Sequence, residues 1–242
     1  MGTDINQPPS SGISPCDTGS GQMALLRLMQ LTSPSLPVGA FAYSQGLEAA
    51  VEVGLLTDRD SAGRWILDIM QNGLARLELP LFYRLYAAWQ AGDEATVTRF
   101  NTELFAQRET RELRAEDAHM GGALARLLTE LDMPEAKAWK GNPKASFTTL
   151  FALACVKWQI EVDQAAHGFL WSWLENQVAA AIKLVPLGQT DGQKLIGELL
   201  PHIPDLLAKA KMLTDDEIGA SLPLLAILSG QHETQYSRLF RS

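Results

Sequence analysis

Apolar residues recur along most of the chain with the period of an α-helix. From Asp60 to Leu77 they fall on one helical face, whereas a half-buried strand would alternate at every second residue. Pro80 ends or restarts this helix, and a further helix is predicted from Leu81 to Trp89, before Gly92. These segments predict helices packed through one apolar face.

Two longer apolar stripes lie in the second half of the chain. One runs from Phe147 to Val162, and the other runs from Leu170 to Val185 and ends before Pro186. Thr214 and Glu217 have the spacing of a capping box, which predicts a short helix before Pro223. No segment alternates apolar and polar residues between turn signals. We therefore expect an all-α fold, a single helical-bundle-like domain of about eight to ten helices.

The two ends of the chain differ from this body, which we assign to residues 23–230. Residues 1–22 are rich in Ser, Gly and Pro and have neither a basic start nor an apolar run. This composition predicts a flexible tail and argues against a signal peptide. Residues 231–242 end in Arg and aromatic side chains, which are common interface anchors, and so predict a partner-binding tail. Docking of this tail onto the chain's own body is the alternative.

Composition narrows the class of protein. The 242 residues are 46% hydrophobic and carry a formal net charge of −8, which argues against disorder and against a broad nucleic-acid-binding face. Two cysteines cannot form a disulfide framework, a pattern that suits a reducing cytoplasm. The longest apolar runs are too short to span a bilayer. We expect a cytoplasmic protein that binds neither nucleic acid nor membrane.

The sequence matches few of the known motifs for catalysis or metal binding. The sequence has no phosphate-binding GxxxxGK[ST] loop. Ala42–Gly46 resembles a nucleophile elbow, but no strand precedes it, so a helix N-cap is the preferred interpretation of Ser44 and a Ser44 hydrolase is the alternative. The histidines are scattered, Cys155 lies on an apolar stripe, and His232 beside Glu233 is interpreted as a surface pair rather than a metal site.

Alternating charges mark residues 108–117 on a predicted helix. Arg108 and Glu112 are four residues apart and are expected to pair across one turn, on a solvated face or on a strip that selects a partner. Asp117 falls in line with core positions, where a carboxylate needs a partner within this chain or on another.

Several blocks of the sequence resemble the UreF family of urease accessory proteins. The blocks are LLRLMQLTSPSLPVGAFAYSQGLEAAVEVG (25–54), ARLELPLF (75–82), RETRELRAED (108–117), LVPLGQTDGQKL (184–195) and HETQYSRLFRS (232–242). They keep the order and spacing of the family from about Leu25 to Ser242. Gly230 and Gln231 depart from it, since the family commonly has Met-Arg there.

The resemblance implies an all-α, non-enzymatic homodimer that binds the accessory protein UreD (UreH) and the GTPase UreG. The assembly docks on apo-urease and delivers nickel, which is cargo, so no resident cofactor or metal site is implied. The expected role is that of a scaffold or checkpoint in urease maturation. The alternative is a GTPase-activating protein that inserts an Arg or a Gln into the active site of UreG, with Arg238 and Arg241 as candidates.

The resemblance also implies partner-binding residues, carried over by position in four groups. The first motif comprises Tyr43, Ser44, Gln45, Gly46 and Glu48, and the charged helix comprises Arg108, Glu109, Arg111 and Glu112. A central loop, in which Gly188 and Gly192 would permit tight turns, provides Gln189, Asp191 and Gln193. The terminal motif comprises His232, Glu233, Gln235, Tyr236, Ser237, Arg238, Leu239, Phe240 and Arg241.

Overall fold

The computed structural model describes residues 15–242, which form α-helices joined by short connections, with no strand in that range. The helices are α1 (Pro15–Leu31), α2 (Leu47–Glu52), α3 (Arg59–Ile69), α4 (Glu78–Ala91), α5 (Glu94–Ala106), α6 (Arg111–Glu130), α7 (Pro134–Lys137), α8 (Phe147–Lys157), α9 (Val162–Leu184), α10 (Gln189–Leu199), α11 (Ile203–Met212) and α12 (Pro223–His232). The prediction of an all-α fold is confirmed. None of the helices in this range has both the length and the apolar character needed to cross a bilayer.

Helix boundaries follow local capping chemistry. The Asp58 carboxylate accepts a hydrogen bond from the Ser61 N–H at 2.7 Å and so caps the start of α3. The helix predicted to run to Leu77 instead changes at Met70–Leu74 to a π-helical turn. Pro80 lies in the first turn of α4, where it is tolerated, and Gly92 ends that helix in the left-handed conformation.

Three other boundaries differ from the sequence prediction. The stripe from Phe147 to Val162 spans two helices, because Gln159 adopts a positive φ of 54° and the chain turns between α8 and α9. The capping box at Thr214 is present, but it starts a 3-10 turn, Asp215–Glu217, and not an α-helix. Helix α1 begins at Pro15, so the boundary at residue 22 falls inside a helix, and residues 1–14 lie outside the described range.

The main core lies where α4, α6, α8 and α9 pack together. Phe82, Phe151 and Phe169 meet at its centre, with ring centroids 5.3–6.1 Å apart. Such aromatic pairs add to the stabilisation that comes from burying apolar area. A second, smaller cluster includes Leu47, Ala181 and Leu228 and joins α2, α9 and α12. This second cluster holds the start of α2 beside the end of α12.

A close backbone contact fixes α6 against the segment before α8. A Cβ at Gly121 would lie 2.0 Å from the carbonyl oxygen of Ala145, a distance no side chain tolerates. This approach places Ser146 and Phe147 beside the first half of α6, where their Oγ–H and N–H both donate to one oxygen of Asp117, at 3.0 and 2.8 Å. The partner that the sequence required for Asp117 is therefore internal.

Candidate partner-binding site

The chain enters α2 through a turn that only a glycine fits well. Gln45 and Gly46 both have positive φ, and a Cβ at Gly46 would lie 2.8 Å from Cδ1 of Leu225 on α12. This turn places Glu48 in the first turn of α2 with its carboxylate buried. The first motif is thereby aimed at the end of α12 and at the residues that follow it.

A group of four side chains, which we call the tail latch, consists of the buried Glu48, Glu112 and His232 and the partly exposed Arg238. His232 is fully buried, with Nδ1 at 2.8 Å from Glu112 Oε2 and Nε2 at 3.1 Å from Glu48 Oε2. Arg238 donates through Nη1 to the other Glu112 oxygen at 2.8 Å. Both ring nitrogens of His232 therefore have a carboxylate partner within hydrogen-bond distance. The interpretation of His232 as a surface residue was wrong.

Glu48 also holds the backbone of the terminal segment. Its two oxygens accept the N–H groups of Leu239 and Phe240 at 2.6 and 2.8 Å. Further along, the Arg241 N–H donates to the Ala42 carbonyl and the Ser44 N–H donates to the Ser242 carbonyl, both at 2.8 Å. Residues 233–242 are therefore docked on the chain's own body, the alternative that the sequence left open.

The docked segment still presents apolar side chains outward. Tyr236 is fully exposed and Leu239 is 64% exposed, whereas Phe240 is buried with the Lys183 ammonium 5.5 Å from its ring centroid. Free apolar side chains on a segment with fixed backbone resemble the pre-ordered anchors of protein interfaces.

Another buried carboxylate, Glu116, which was not among the predicted site residues, lies beside the latch. Glu116 Oε1 accepts from Gln45 Nε2 at 2.7 Å, and Oε2 accepts from Ser242 Oγ at 2.8 Å. Burial raises the pKa of Glu116 to about 7, and the bonds from Gln45 and Ser242 oppose that rise. The sequence offered one signal for this residue, since Glu116 follows the predicted site residue Glu112 by one helical turn. The alternating charges of residues 108–117 instead indicated a solvated face.

Ser44 has a structural role. Its hydroxyl donates to the Ser242 carbonyl oxygen at 2.5 Å and accepts the Glu48 N–H at 3.3 Å, and the side chain is fully buried. It thus satisfies an N–H at the start of α2, although the N-cap position itself is Gly46. Nearby, Tyr43 places its hydroxyl 3.0 Å from His119 Nδ1, and burial raises the pKa of this tyrosine.

The charged segment is organised differently from its prediction. Arg108 precedes α6 and does not pair with Glu112; it contacts Glu78, and its Nε lies 3.1 Å from Asp117. Glu112, Glu116 and Asp117 are buried, so the solvated-face interpretation is wrong for them. Arg111 and Glu109 are exposed, and Arg111 contacts Glu233 at 3.4 Å.

The central loop lies apart from the latch and is helical. Gln189, Asp191 and Gln193 occupy the first turns of α10, where Gln189 and Gln193 are exposed and Asp191 contacts Lys194 at 3.6 Å. Gly192 permits close helix packing rather than a turn, since a Cβ there would lie 2.4 Å from Ile182 Cδ1 on α9. These residues form a separate surface, with no hydrogen bond to the latch.

Potential metal ligands do not converge among the side chains of residues 21–242, where no group of three His, Cys, Asp or Glu residues could hold an ion. In the latch, the two carboxylates bind opposite nitrogens of the His232 ring, so they cannot meet at one centre. Cys155 is buried in the main core, and burial raises the pKa of its thiol.

The structure also shows an exposed apolar stripe on α1 that was not predicted from the sequence. Met23, Leu26 and Met29 follow one another at intervals of three residues and are 56–58% exposed. Helix α1 turns Ala24 and Leu31 to the core, and none of the described side chains covers this second apolar face. Contiguous exposed apolar side chains commonly mark a surface for protein association.

Comparison with known proteins gives consistent matches. The family model for UreF matches residues 56–200, more than half of the chain. The chain is 50% identical over 220 residues to the urease accessory protein UreF of Alkalilimnicola ehrlichii, a match that covers 91% of this chain and 96% of that protein. It is 48% identical over 220 residues to the UreF of Hahella chejuensis, with 91% and 99% covered. For the UreF of Azoarcus sp. the identity is 49% over 227 residues, with 92% and 97% covered.

Proposed function

Because the chain belongs to the UreF family of urease accessory proteins, we propose that it is a non-catalytic scaffold for nickel delivery. In this role it joins UreD (UreH) and the GTPase UreG so that nickel is released on apo-urease. Nickel is cargo that passes through the assembly, and this chain has no resident cofactor. The proposed location is the cytoplasm, where UreG and nucleotide are present.

One observation carries the scaffold role: the terminal segment is held by its backbone while its apolar side chains face outward. Glu48 binds the N–H groups of Leu239 and Phe240, so little conformational entropy remains to be lost when a partner contacts Tyr236 and Leu239. The polar groups of the latch bond to one another. We assign the exposed face of this segment to UreD.

The stripe on α1 supports the proposed homodimer. A two-fold interface places the same patch of each copy against the other, and Met23, Leu26 and Met29 form one apolar patch on a single helix. The exposed residues of α10, Gln189 and Gln193, lie outside both surfaces and remain candidates for UreG.

Co-purification of the full chain with UreD and with UreG tests the scaffold. Tyr236→Ala combined with Leu239→Ala is expected to weaken capture of UreD by about tenfold or more, since aromatic anchors carry much of an interface's affinity. Met212→Ala is the matched control, because Met212 is 81% exposed on α11, away from the terminal segment. Unchanged UreD capture by the double variant would overturn the assignment of this face. Capture of neither partner by the wild-type chain would overturn the scaffold itself.

The GTPase-activating alternative has two candidates, Arg238 and Arg241. Both side chains are exposed, and each has a partner within the chain: Glu112 for Arg238 and the Tyr43 hydroxyl for Arg241. If Arg241 is inserted into UreG, Arg241→Ala should lower stimulated GTP hydrolysis by about a thousandfold while leaving assembly intact. If the scaffold proposal holds, hydrolysis per assembled complex should be unchanged in this variant.

A further inference from the structure

A cavity of about 300 Å³ lies beside the latch, bounded by the end of α1, the residues before α2, and parts of α6, α9 and α12. Most of its wall is apolar, and four aromatic side chains contribute to it: Phe41, Phe147, Phe169 and Trp173. This volume is at the lower end of the range for small-molecule sites. The cavity therefore suits a compact guest with an apolar body.

The charged groups of the wall are strongly unbalanced. Five carboxylates line the cavity, those of Glu78, Glu109, Glu116, Asp117 and Glu175, against the single guanidinium of Arg108. Arg108 is already paired with Glu78 and Asp117. Within the described residues, Glu109, Glu116 and Glu175 form no ion pair. The wall thus contains three carboxylates outside any ion pair, although the charge of Arg108 acts on Glu116 from nearby.

Two of these three carboxylates are withdrawn from water. Glu116 is 5% exposed, and Glu175 on α9 is half-buried, with no hydrogen bond from the rest of the described chain. Burial raises the pKa of both groups. A buried carboxylate without a counter-ion is costly, and a cation placed in the cavity would offset that cost. Aromatic faces also attract organic cations.

We propose that this cavity binds a small organic cation, a primary amine or guanidinium on an apolar body. The cationic head would contact Glu116 and Glu175, and the body would pack against the aromatic wall. The deep position of Glu116 favours a compact molecule over a surface-bound partner segment. This inference does not rest on the scaffold role, because it uses only the charges and shape of the cavity.

Isothermal titration of the full chain with 2-phenylethylamine, and separately with the neutral 2-phenylethanol, tests the proposal. At about pH 8, above the raised pKa of Glu116, the amine is expected to bind about tenfold or more tightly than the alcohol, because hydrogen bonds to charged groups are the stronger ones. Glu116→Gln and Glu175→Gln should each remove most of that difference. Gln at 116 keeps hydrogen-bonding atoms for Gln45 and Ser242, so this variant is expected to fold.

The matched control is Glu130→Gln, which makes the same change at an exposed position of α6 outside the cavity wall. It should bind the amine as the wild type does. Equal affinity for amine and alcohol, or equal loss in the Glu130 and Glu116 variants, would overturn the proposal. Binding of a capped Leu-Lys-Leu peptide without binding of 2-phenylethylamine would overturn it in favour of a partner segment.

Discussion

Glu48 makes more contacts to the terminal segment than any other single side chain of the site. Its carboxylate accepts two consecutive backbone N–H groups and faces His232 as well. A short residue here would leave the buried Phe240 N–H and the part-buried Leu239 N–H without their acceptor, and the loss of a buried partner costs about 1–3 kcal/mol. The position of the terminal segment therefore depends on one acidic residue nearly two hundred positions earlier in the chain.

We expect Glu48→Ala to lower the free energy of unfolding by about 2–4 kcal/mol and to release residues 233–242. Denaturant unfolding measures the first effect, and amide hydrogen exchange of Leu239 and Phe240 measures the second. Glu52→Ala, an exposed position on the same helix, is the control and should change neither. Retained protection of the two amides in Glu48→Ala would contradict the anchoring role.

Glu116 gives the protein a pH-dependent stability with a defined sign. Because its pKa is raised from 4.5 to about 7 in the folded chain, the native state holds a proton that the unfolded state releases. Its contribution is complete below the unfolded pKa and is lost as the pH rises through about 7. At about 1.4 kcal/mol per pKa unit, the loss is on the order of 3 kcal/mol.

Glu116→Gln should therefore be more favourable relative to wild type at about pH 8 than at about pH 5. Denaturant unfolding of both proteins at the two pH values provides the comparison. The neighbouring Asp117, Arg108, Tyr43 and Arg241 are unchanged in the variant, so the difference isolates position 116. Parallel pH profiles would show that Glu116 titrates normally.

The sequence could not have placed His232 correctly. Local pattern shows only its neighbour Glu233, whereas its actual partners, Glu48 and Glu112, lie 184 and 120 positions away. Only the packing of α2, α6 and α12 brings these three side chains together. The resemblance selected His232, Glu48 and Glu112 as site residues without indicating that they contact one another.

At the scale of the helices, the apolar periodicity predicted well which segments are helical but predicted poorly where each helix ends. The stripe that includes Phe151 and Trp158 was real, yet the chain turns at Gln159 and starts a new helix. The prediction for the charged start of α6 was wrong for another reason. In the sequence, a helix with buried carboxylates looks solvent-exposed until the partners of those carboxylates, such as Ser146 for Asp117, are known. Long-range pairing of this kind leaves no trace in the periodicity of one segment.

Helix α12 contains a glycine whose replacement by alanine should stabilise the folded chain. A Cβ at Gly230 would meet nothing within 4 Å, and glycine inside a helix costs about 0.5–1 kcal/mol relative to alanine. Gly230→Ala is therefore expected to raise the free energy of unfolding by about that amount, measured with denaturant. Gly121→Ala is the contrasting control and should destabilise the chain, because its Cβ would collide with the Ala145 carbonyl. A destabilised Gly230→Ala would mean that α12 has a close neighbour at this position.

At the scale of the whole molecule, the exposed apolar face of α1 leads to a testable prediction about the oligomeric state. Its three exposed apolar side chains stand on a helix whose opposite face is anchored in the core by Ala24 and Leu31. The described residues of one chain do not cover this face, whereas two chains would bury it together.

We expect Leu26→Arg to convert the proposed homodimer to monomer. A two-fold interface carries the substitution twice, and burying an unpaired charge in an apolar contact costs several kcal/mol, so the dissociation constant should rise by about a hundredfold or more. Light scattering coupled to size-exclusion chromatography over a concentration series measures the change. Met212→Arg places the same charge on another exposed apolar residue and should leave the mass unchanged. Because Leu26 is 58% exposed in the single chain, Leu26→Arg should keep the wild-type unfolding free energy per monomer. A dimer of unchanged stability in Leu26→Arg would place the interface elsewhere, and a wild-type monomer would leave the stripe on α1 to a different partner.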